Sequence, residues 1–481
     1  MNTLTIGWMA LPFLAGFTIF IIPQLDRYLA TLTLVASAAF AAKIFLLESP
    51  LALQLLDSAG VTLFIDPVSA YFILTNALVS AAVILYCWQT EKSAFFYAQM
   101  IILHGSLNAA FICTDFMSLY VALEVSGIAA ALLVSYPRTD RSIWVALRYL
   151  FVSNIAMLFY LVGAVLVYKA HHSFSFEGLR GAPPEALALI FMALLTKAGI
   201  FVSGLWLPLT HSESETPVSA LLSGIVVKAG AYPLVRCALI LEEVSPIVQI
   251  FGVGAAIFGV SYAVFEKDTK RLLAFSTVSQ LGWIISAPEV AGFYALTHGL
   301  VKSSLFLIAG NLPSREFQVL QTKPMNTALW IPLCLAGLSI SGFPLFAGFE
   351  AKMLTLQNLL SWQSIPMNLA AVGTVICFSK LIFLPHDFQA EPKQPMRVGF
   401  WLAIALLLGG LIVANAVHYD VYTVANILKA IGIVAGGAVI YLALIQRWVV
   451  NLPRMFEEFE HLVGVMSLIS VLLFWFAWSW H

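Results

Sequence analysis

The chain has 481 residues, of which 61% are hydrophobic and only 10% charged, and its formal net charge is −1. Soluble globular domains carry roughly 25% charged residues, so this composition excludes a soluble protein, and the near-zero charge gives a nucleic-acid partner no electrostatic support. Mean hydropathy is +0.93, and apolar runs of roughly 20 residues, the length a helix needs to cross the hydrocarbon core, recur from end to end. The fold class is an all-α polytopic membrane protein.

The first run, 4–22, lies within MNTLTIGWMALPFLAGF, which lacks the basic n-region and small-residue cleavage site of a signal peptide and reads as a membrane helix. Further runs follow at 28–47, 65–88, 95–113, 116–136, 144–168, 186–203, 217–240, 246–265, 271–287, 290–310, 327–347, 366–385, 398–417, 426–447 and 461–480. They predict about 14–16 transmembrane helices, the last two being the least certain in number. With helices alternating in direction, one side collects Arg27, Lys92, Arg138, Arg141, Lys267, Lys270, Arg271, Arg315, Lys323, Lys393, Arg397, Arg447 and Arg454. The other side holds only Lys43, Lys169, Arg180 and Lys429. The positive-rich side is cytoplasmic, and the location expected is a bacterial inner membrane.

Two segments do not read as plain helices. TKAGIFVSGLWLP carries two glycines and ends in Pro208, and GLSISGFPLFAGFEAK carries Gly342, Pro344 and Gly348. Broken backbone at membrane depth survives only when buried in protein or lining a wet cavity. Paired interrupted helices in two halves point to an inverted repeat and its ion site. Each break lies close to a lysine.

Those lysines are the informative residues. Lys197, Lys228, Lys302 and Lys352 sit in apolar surroundings, where a charge costs at least about 2.5–3.5 kcal/mol to insert. A desolvated lysine can release its proton near neutral pH, which an arginine cannot, so lysine here suits a proton relay. The plain alternative is snorkelling, which fits Lys228 poorly because about ten mostly apolar residues flank it on each side. Glu124 stands midway along SLYVALEVSGIAAALLVSY. It either tunes the proton affinity of a lysine, Lys197 being the obvious partner, or makes a structural ion pair. His298 and Lys302 share a helix face at i, i+4, so His298 reads as a proton shuttle against the alternative of a hydrogen-bonded core histidine. Lys352 would end a lateral series, and Glu350 beside it either pairs with it or faces the aqueous end. Arg148 is balanced between field-setting and anchoring, and Arg236 reads as an interhelical anchor or a snorkelling residue. His104 reads as structural. His171, His172, His211, His386, His418, His461 and His481 fall in loops or near helix ends, and Glu213 and Glu215 read as a solvated loop.

Five single cysteines, no Cys/His cluster, no GxGxxG and no GxxxxGK[ST] leave metal, iron–sulfur and nucleotide sites without ligands, so no cofactor is expected.

Several stretches then resemble one family in order, from about residue 60 to 385. TDFMSLYVALEVSGIAAALLVSYP resembles the glutamate-bearing fifth helix of the antiporter-like subunits of complex I and of Mrp-type multisubunit cation/proton antiporters. TKAGIFVSGLWLPLTHSESETPVSALLSGIVVKAGAYPLVR resembles their broken seventh helix and lysine-bearing eighth. EKDTKRLLAFSTVSQLGWI, THGLVKSSLFLIAGNL and SGFPLFAGFEAK resemble the second-half motifs. The likeness is nearest to the D-type component of Mrp antiporters and to related membrane components of energy-converting hydrogenases.

The resemblance implies two inverted five-helix repeats, helices 4–8 and 9–13, with helices 7 and 12 broken. It divides the chain into N-terminal helices (1–94), a first repeat (95–242), a second repeat (243–386) and C-terminal helices (387–481) that dock a neighbouring subunit. It implies a hydrated axis through Glu124, Lys197, Lys228, His298, Lys302 and Lys352, other membrane subunits as partners, protons with Na⁺ or K⁺ as cargo, and surrounding lipid. Three positions depart from the family. Val202, Ser203 and Gly204 stand where a proline and histidine are common, Tyr294 stands for a second histidine, and Arg148 stands for a lysine. In place of one complex I subunit's long lateral helix, QRWVVNLPRMFEEFEH joins two ordinary spans.

The expected function is therefore a proton-translocating subunit, not itself an enzyme, of a Na⁺(K⁺)/H⁺ antiporter. The alternatives are a proton-pumping subunit of an NDH-type, hydrogenase or inorganic-carbon-uptake complex and, from another class, a structural membrane scaffold.

Overall fold

The computed structural model describes residues 2–55, 60–391, 396–447, 450, 452–454 and 457–479; Lys393 and His481 lie outside them. The order is α1 (Asn2–Ile21), α2 (Asp26–Phe45), β1 (Leu51–Gln54), β2 (Thr62–Ile65), α3 (Pro67–Cys87), α4 (Ala94–Ala110), α5 (Phe116–Val134), α6 (Asp140–His171), α7 (Pro184–Ala198), α8 (Leu207–Glu213), α9 (Thr216–Leu221) and α10 (Lys228–Ile240). The second part contains α11 (Ser245–Phe265), α12 (Thr269–Ser286), α13 (Ala291–Ala309), α14 (Phe317–Thr322), β3 (Met325–Asn326), α15 (Thr327–Ser341), α16 (Ala347–Gln357), α17 (Ser361–Ile382), β4 (His386–Asp387), α18 (Val398–Ala414), α19 (Val424–Ala443) and α20 (Phe459–Ser479). β1 pairs antiparallel with β2, Leu51 opposite Ile65, and β3 pairs parallel with β4.

Twelve spans among the described residues are individually long and apolar enough to cross a membrane. The other four expected segments are the shorter α4 and α18, the polar α12 and the divided α15–α16. This is a multi-pass, all-α membrane protein.

Local chemistry sets the helix starts. Asp66, Asp115 and Asp268 each accept a backbone N–H three residues ahead, opening α3, α5 and α12, and Thr139 with Ser142 forms a capping box on α6. Such caps satisfy N–H groups that no helical carbonyl reaches.

Both expected breaks are present. α7 stops at Gly199 (φ 72°) and α15 at Gly342 (φ 82°), each a left-handed terminal residue that a side chain rarely adopts. The chain turns on, through left-handed Phe201 and Leu345, before α8 and α16 resume. Trp206 Nε1 reaches back 2.8 Å to the Thr196 carbonyl, so a freed α7 carbonyl keeps a donor inside the membrane. A third irregularity gave no sequence signal: residues 222–226 between α9 and α10 form a wide π-type turn, with Val227 N–H bonded to the Leu222 carbonyl.

α4–α5, α5–α6, α6–α7 and α7–α10 pack in succession, and α11–α12, α12–α13, α13–α15 and α15–α17 follow the same order. The halves meet where α8 lies on α12 and α9 on α13. α12 and α13 are buried along their whole lengths. They form the protein-enclosed centre, which keeps polar side chains away from lipid.

α19 packs on α17, but the chain then crosses the molecule and α20 packs on α7 and the 201–206 turn. One face of the last helix is therefore packed against this chain. Arg148 belongs to that crossing. Its guanidinium donates to the Glu457 carbonyl and lies 5.6 Å from the Trp144 ring. The Glu457 carboxylate accepts from Arg271 at 2.6 Å, while Glu266 holds Arg271 at 3.2 Å and Arg454 at 3.1 Å. Arg148 thus ties α6 to the C-terminal segment.

Arg236 is the interhelical anchor of the opposite face. It grips Asp66 with two bonds of 2.7 Å and also donates to Tyr232 Oη and Ser69 Oγ. Burial raises the Asp66 carboxyl, but Arg236 and the Ser69 donors outweigh it and hold it below the ordinary carboxylate range. The pair's contribution is complete at neutral pH and is lost only as pH falls through that lowered value. Arg236→Met, which strands the carboxylate, is expected to cost about 3–5 kcal/mol. Thermal unfolding at pH 7 in detergent checks this, and the loss should shrink on acidification.

Candidate functional site

The first group of titratable residues is built by α5, α6 and α7. Lys197, two residues before the α7 terminus, turns its amine into the bundle, where it donates to Ser153 Oγ of α6 at 2.6 Å. The amine rests on α5 at Gly127, where a Cβ would sit 2.7 Å from Nζ. One turn earlier on α5 stands Glu124, whose Oε1 is buried without a hydrogen-bond partner. Glu124 and Lys197 act on each other electrostatically, but they are not bonded. The geometry is that of a lysine held on a hydroxyl with a carboxylate nearby, not of a tight ion pair.

Backbone contact carries the arrangement from α7 to α10. At Gly230 the two helices touch so closely that a Cβ would lie 2.5 Å from the Ala198 nitrogen. Lys228, fully buried two residues earlier, donates to the Gly224 carbonyl within the wide turn. Its amine faces α13 at Gly299, 3.6 Å from where a Cβ would stand. A π-type turn frees carbonyls from the regular ladder, and here one of them receives a lysine.

Next to Gly299, His298 is buried, and neither ring nitrogen has a partner among the described residues. That sets it apart from His104, which is the hydrogen-bonded core histidine expected, with Ser37 Oγ at 2.9 Å and Asn108 at 3.0 Å. His298 borders a cavity of ≈10 Å³ with Tyr294, Gln280 and Thr297, about the room one water needs. Lys302, one turn on, donates to the Leu273 carbonyl of α12 at 3.0 Å. That carbonyl also accepts from Thr277 Oγ1 at 2.9 Å, and Thr277 meets Ser223 Oγ of the wide turn at 2.7 Å. A run of hydroxyls therefore joins the Lys228 turn to Lys302.

Lys352 Nζ has no hydrogen-bond partner among the described residues and lies 5.3 Å from the Trp283 ring centroid. Trp283 stacks on Tyr294 at 5.9 Å, and Tyr294 donates to Gln280 Oε1 at 2.6 Å. Tyr294 is thus a hydrogen-bonded aromatic spacer between His298 and Lys352. Glu350 does not pair with Lys352. Its neighbours are instead the His418 backbone amide and the Asp420 carboxylate, beyond α18.

Two further residues join this set, neither favoured by their place in the sequence. His211 on α8 is fully buried, its ring between the backbones of Leu207 and Leu222. It lies 6.0 Å from Phe306 of α13 and within electrostatic reach of Lys302 and Lys270. Lys270, at the start of α12, is buried and donates to the Ser214 carbonyl at 2.9 Å and Ser219 Oγ at 3.3 Å. Beyond it, Glu213 faces Arg141 and Arg315, Asp268 faces Arg315, and Glu215 faces Lys92. The 213–215 loop is an ion-pair cluster on the positive side, not a freely solvated loop. Only the fold could reveal His211, because a histidine six residues before a helix-opening Pro217 reads as loop.

Fold and site together define a multi-pass membrane protein with titratable groups enclosed among two similarly packed sets of helices. The family described as NADH:quinone oxidoreductase/Mrp antiporter, transmembrane, matches residues 113–377, and the chain belongs to it. The N-type component of the NADH-quinone oxidoreductase of Desulforudis audaxviator is 32% identical over 329 residues, spanning 61% of this chain and 65% of that protein. The D-type component of the Na⁺/H⁺ antiporter of Alkalihalophilus pseudofirmus is 26% identical over 369 residues, 70% of this chain and 75% of that protein. A polypeptide in the structure of the membrane-bound sulfane sulfur reductase, an archaeal respiratory membrane complex, shares the fold with a TM-score of 0.78. It is 21% identical, and the match covers 92% of this chain and 99% of that one.

Ser153→Ala removes the acceptor of the buried Lys197 amine and is expected to cost about 1–3 kcal/mol, with Ser153→Thr restoring most of it. Equal unfolding midpoints for Ser153→Ala and the parent protein would show that the amine does not depend on this hydroxyl.

Proposed function

We propose that this chain is the proton-translocating, antiporter-like subunit of a multisubunit Na⁺(K⁺)/H⁺ antiporter in a bacterial inner membrane, working beside other membrane subunits. Protons pass along Glu124, Lys197, Lys228, His298, Lys302 and Lys352, with residues 95–242 and 243–386 as the two inverted repeats. The observation that carries this reading is that Lys197, Lys228, His298, Lys302 and Lys352 are buried on α7, α10, α13 and α16, with half-buried Glu124 on α5 beside Lys197, in one connected set of packed helices. A scaffold gains nothing from groups that cost so much to bury.

The energetics fit. One charge crossing 100 mV yields about 2.3 kcal/mol, and a proton added to one lysine acts on the next through poorly screened space. Large movement is therefore unnecessary. His211 and Lys270 extend the set from Lys302 to the ion-pair cluster on the cytoplasmic face and form the entry for protons from that side. Ser153, Ser223 and Thr277 orient the amines rather than carry charge.

A second reading places the same subunit in a redox-driven complex. It is supported by the 32% identity with a quinone oxidoreductase component and by the fold shared with a respiratory complex. Redox groups would then belong to partner subunits. Purification of the intact assembly separates the readings: small antiporter subunits favour the first, cluster-bearing subunits the second.

Lys197→Ala and Glu124→Ala should assemble normally and lower ΔpH-driven exchange on the order of 10²-fold, the scale of a lost proton-transfer group. Lys197→Arg, which keeps the charge but cannot give up a proton, should be equally inactive. Full exchange by an assembled Lys197→Arg complex in vesicles would sink the relay. His211→Leu should slow proton uptake from the cytoplasmic face while leaving assembly intact, read in vesicles of known orientation with a pH-sensitive dye.

A further inference from the structure

A groove outside the charged axis opens on the surface between α2, α3 and α18, with a cavity volume of ≈440 Å³. Leu34, Val35, Ala81, Leu85, Leu402 and Leu406 are among its walls, and Thr31 and Gln89 are its polar residues. It follows α3 from Ala77 to Trp88, about 16 Å at 1.5 Å per residue, or roughly one leaflet of a 30 Å hydrocarbon core. At one end α18 touches α3 backbone to backbone, since a Cβ on Gly399 would sit 2.2 Å from the Leu85 carbonyl. The groove is therefore a slot and not the gap of about 10–12 Å that another helix fills.

The closed end lies on the positive, cytoplasmic side and carries two guanidiniums. Arg27 donates to the Trp88 carbonyl at 2.6 Å and the Thr90 carbonyl at 3.3 Å, and Arg397 donates to the Gln89 carbonyl between them. Three consecutive carbonyls thus hold two arginines side by side at the rim of an apolar slot. Arg397 is exposed and Arg27 partly so, and each guanidinium has five N–H donors, more than these bonds use. Asp26, 3.9 Å from Arg27, offsets one of the two charges. Tyr28 and Trp88 meet edge to face at the same level, the pair of residue types that settles at a headgroup boundary.

We propose that this groove holds one anionic phospholipid of the cytoplasmic leaflet, one of its two acyl chains lying along α3 and its phosphate on Arg27 and Arg397. An apolar slot closed by arginines on the cytoplasmic side has the shape and charge for that ligand. A zwitterionic lipid fits the slot equally well but gains less at its rim.

The test is native mass spectrometry of the delipidated protein, in its complex, titrated with phosphatidylglycerol or phosphatidylcholine. A preference for phosphatidylglycerol of about fivefold or more is expected, each arginine near anionic headgroups being worth about fivefold and Asp26 subtracting part. Arg27→Gln with Arg397→Gln should bring the ratio near parity without reducing phosphatidylcholine retention. Arg397→Gln alone, at an exposed residue, should lower the ratio even if the double variant does not fold. Ala81→Trp fills the slot and should displace both lipids. Equal retention of the two lipids by the parent protein overturns the proposal. So does a preference that survives loss of the arginines, or a neighbouring subunit's helix seated in the groove of the intact complex.

Discussion

The cost of taking a charge out of water into a medium that cannot solvate it governs this molecule. An unpaired ammonium in hydrocarbon is not tolerated, so each buried lysine must be enclosed by protein and given at least a dipole. α12 and α13, buried along their whole lengths, provide the enclosure. The dipoles are backbone carbonyls or a hydroxyl. Lys228 finds the Gly224 carbonyl in the wide turn, Lys302 the Leu273 carbonyl, and Lys197 the hydroxyl of Ser153. Lys352 has only the face of Trp283, the weakest of the four settings, because a ring quadrupole compensates less than a hydrogen bond. The amines are held by neutral groups rather than by carboxylates, and an amine so held does not have its charge fixed by a permanent counterion.

The same constraint explains the backbone. A helix broken at membrane depth exposes carbonyl and amide groups that must be satisfied within the protein. The break after α7 is covered on one side by α8 and on the other by α20, with the Trp206 indole on the Thr196 carbonyl. The C-terminal crossing is thus more than an appendage. Its ionic cluster of Glu266, Arg271, Arg454 and Glu457, with Arg148 on the Glu457 carbonyl, fixes the last helix against the first break. That ties the second half of the chain to the first.

Much of this was legible in the residues. Apolar runs located the helices because a bilayer demands a minimum apolar length, and Gly199 and Gly342 marked the breaks because only a residue without Cβ ends a helix easily in the left-handed region. Lys197, Lys228, Lys302 and Lys352 announced themselves by cost. Other readings failed for want of distance. Arg148 stood between a field-setting charge and an anchor, and its bond is to a linker residue 309 positions away, which spacing along the chain could not show. Glu350 is near Lys352 in the same helix, but a rotation of about 100° per residue separates their directions. His211 and Lys270 looked like loop residues because their burial is supplied by α13 and by the 214–219 turn.

The sequence alone determined the membrane class, the two interruptions and the set of expensive charges, because these follow from composition, spacing and transfer energy, which are properties of single segments. Tertiary structure alone decided which group each amine meets, that Glu124 stands near Lys197 without binding it, that Ser223 and Thr277 bridge two lysine sites, and that α20 closes on α7. Those outcomes depend on contacts between segments far apart in the chain, where a shift of an ångström or two separates a hydrogen bond from an empty gap.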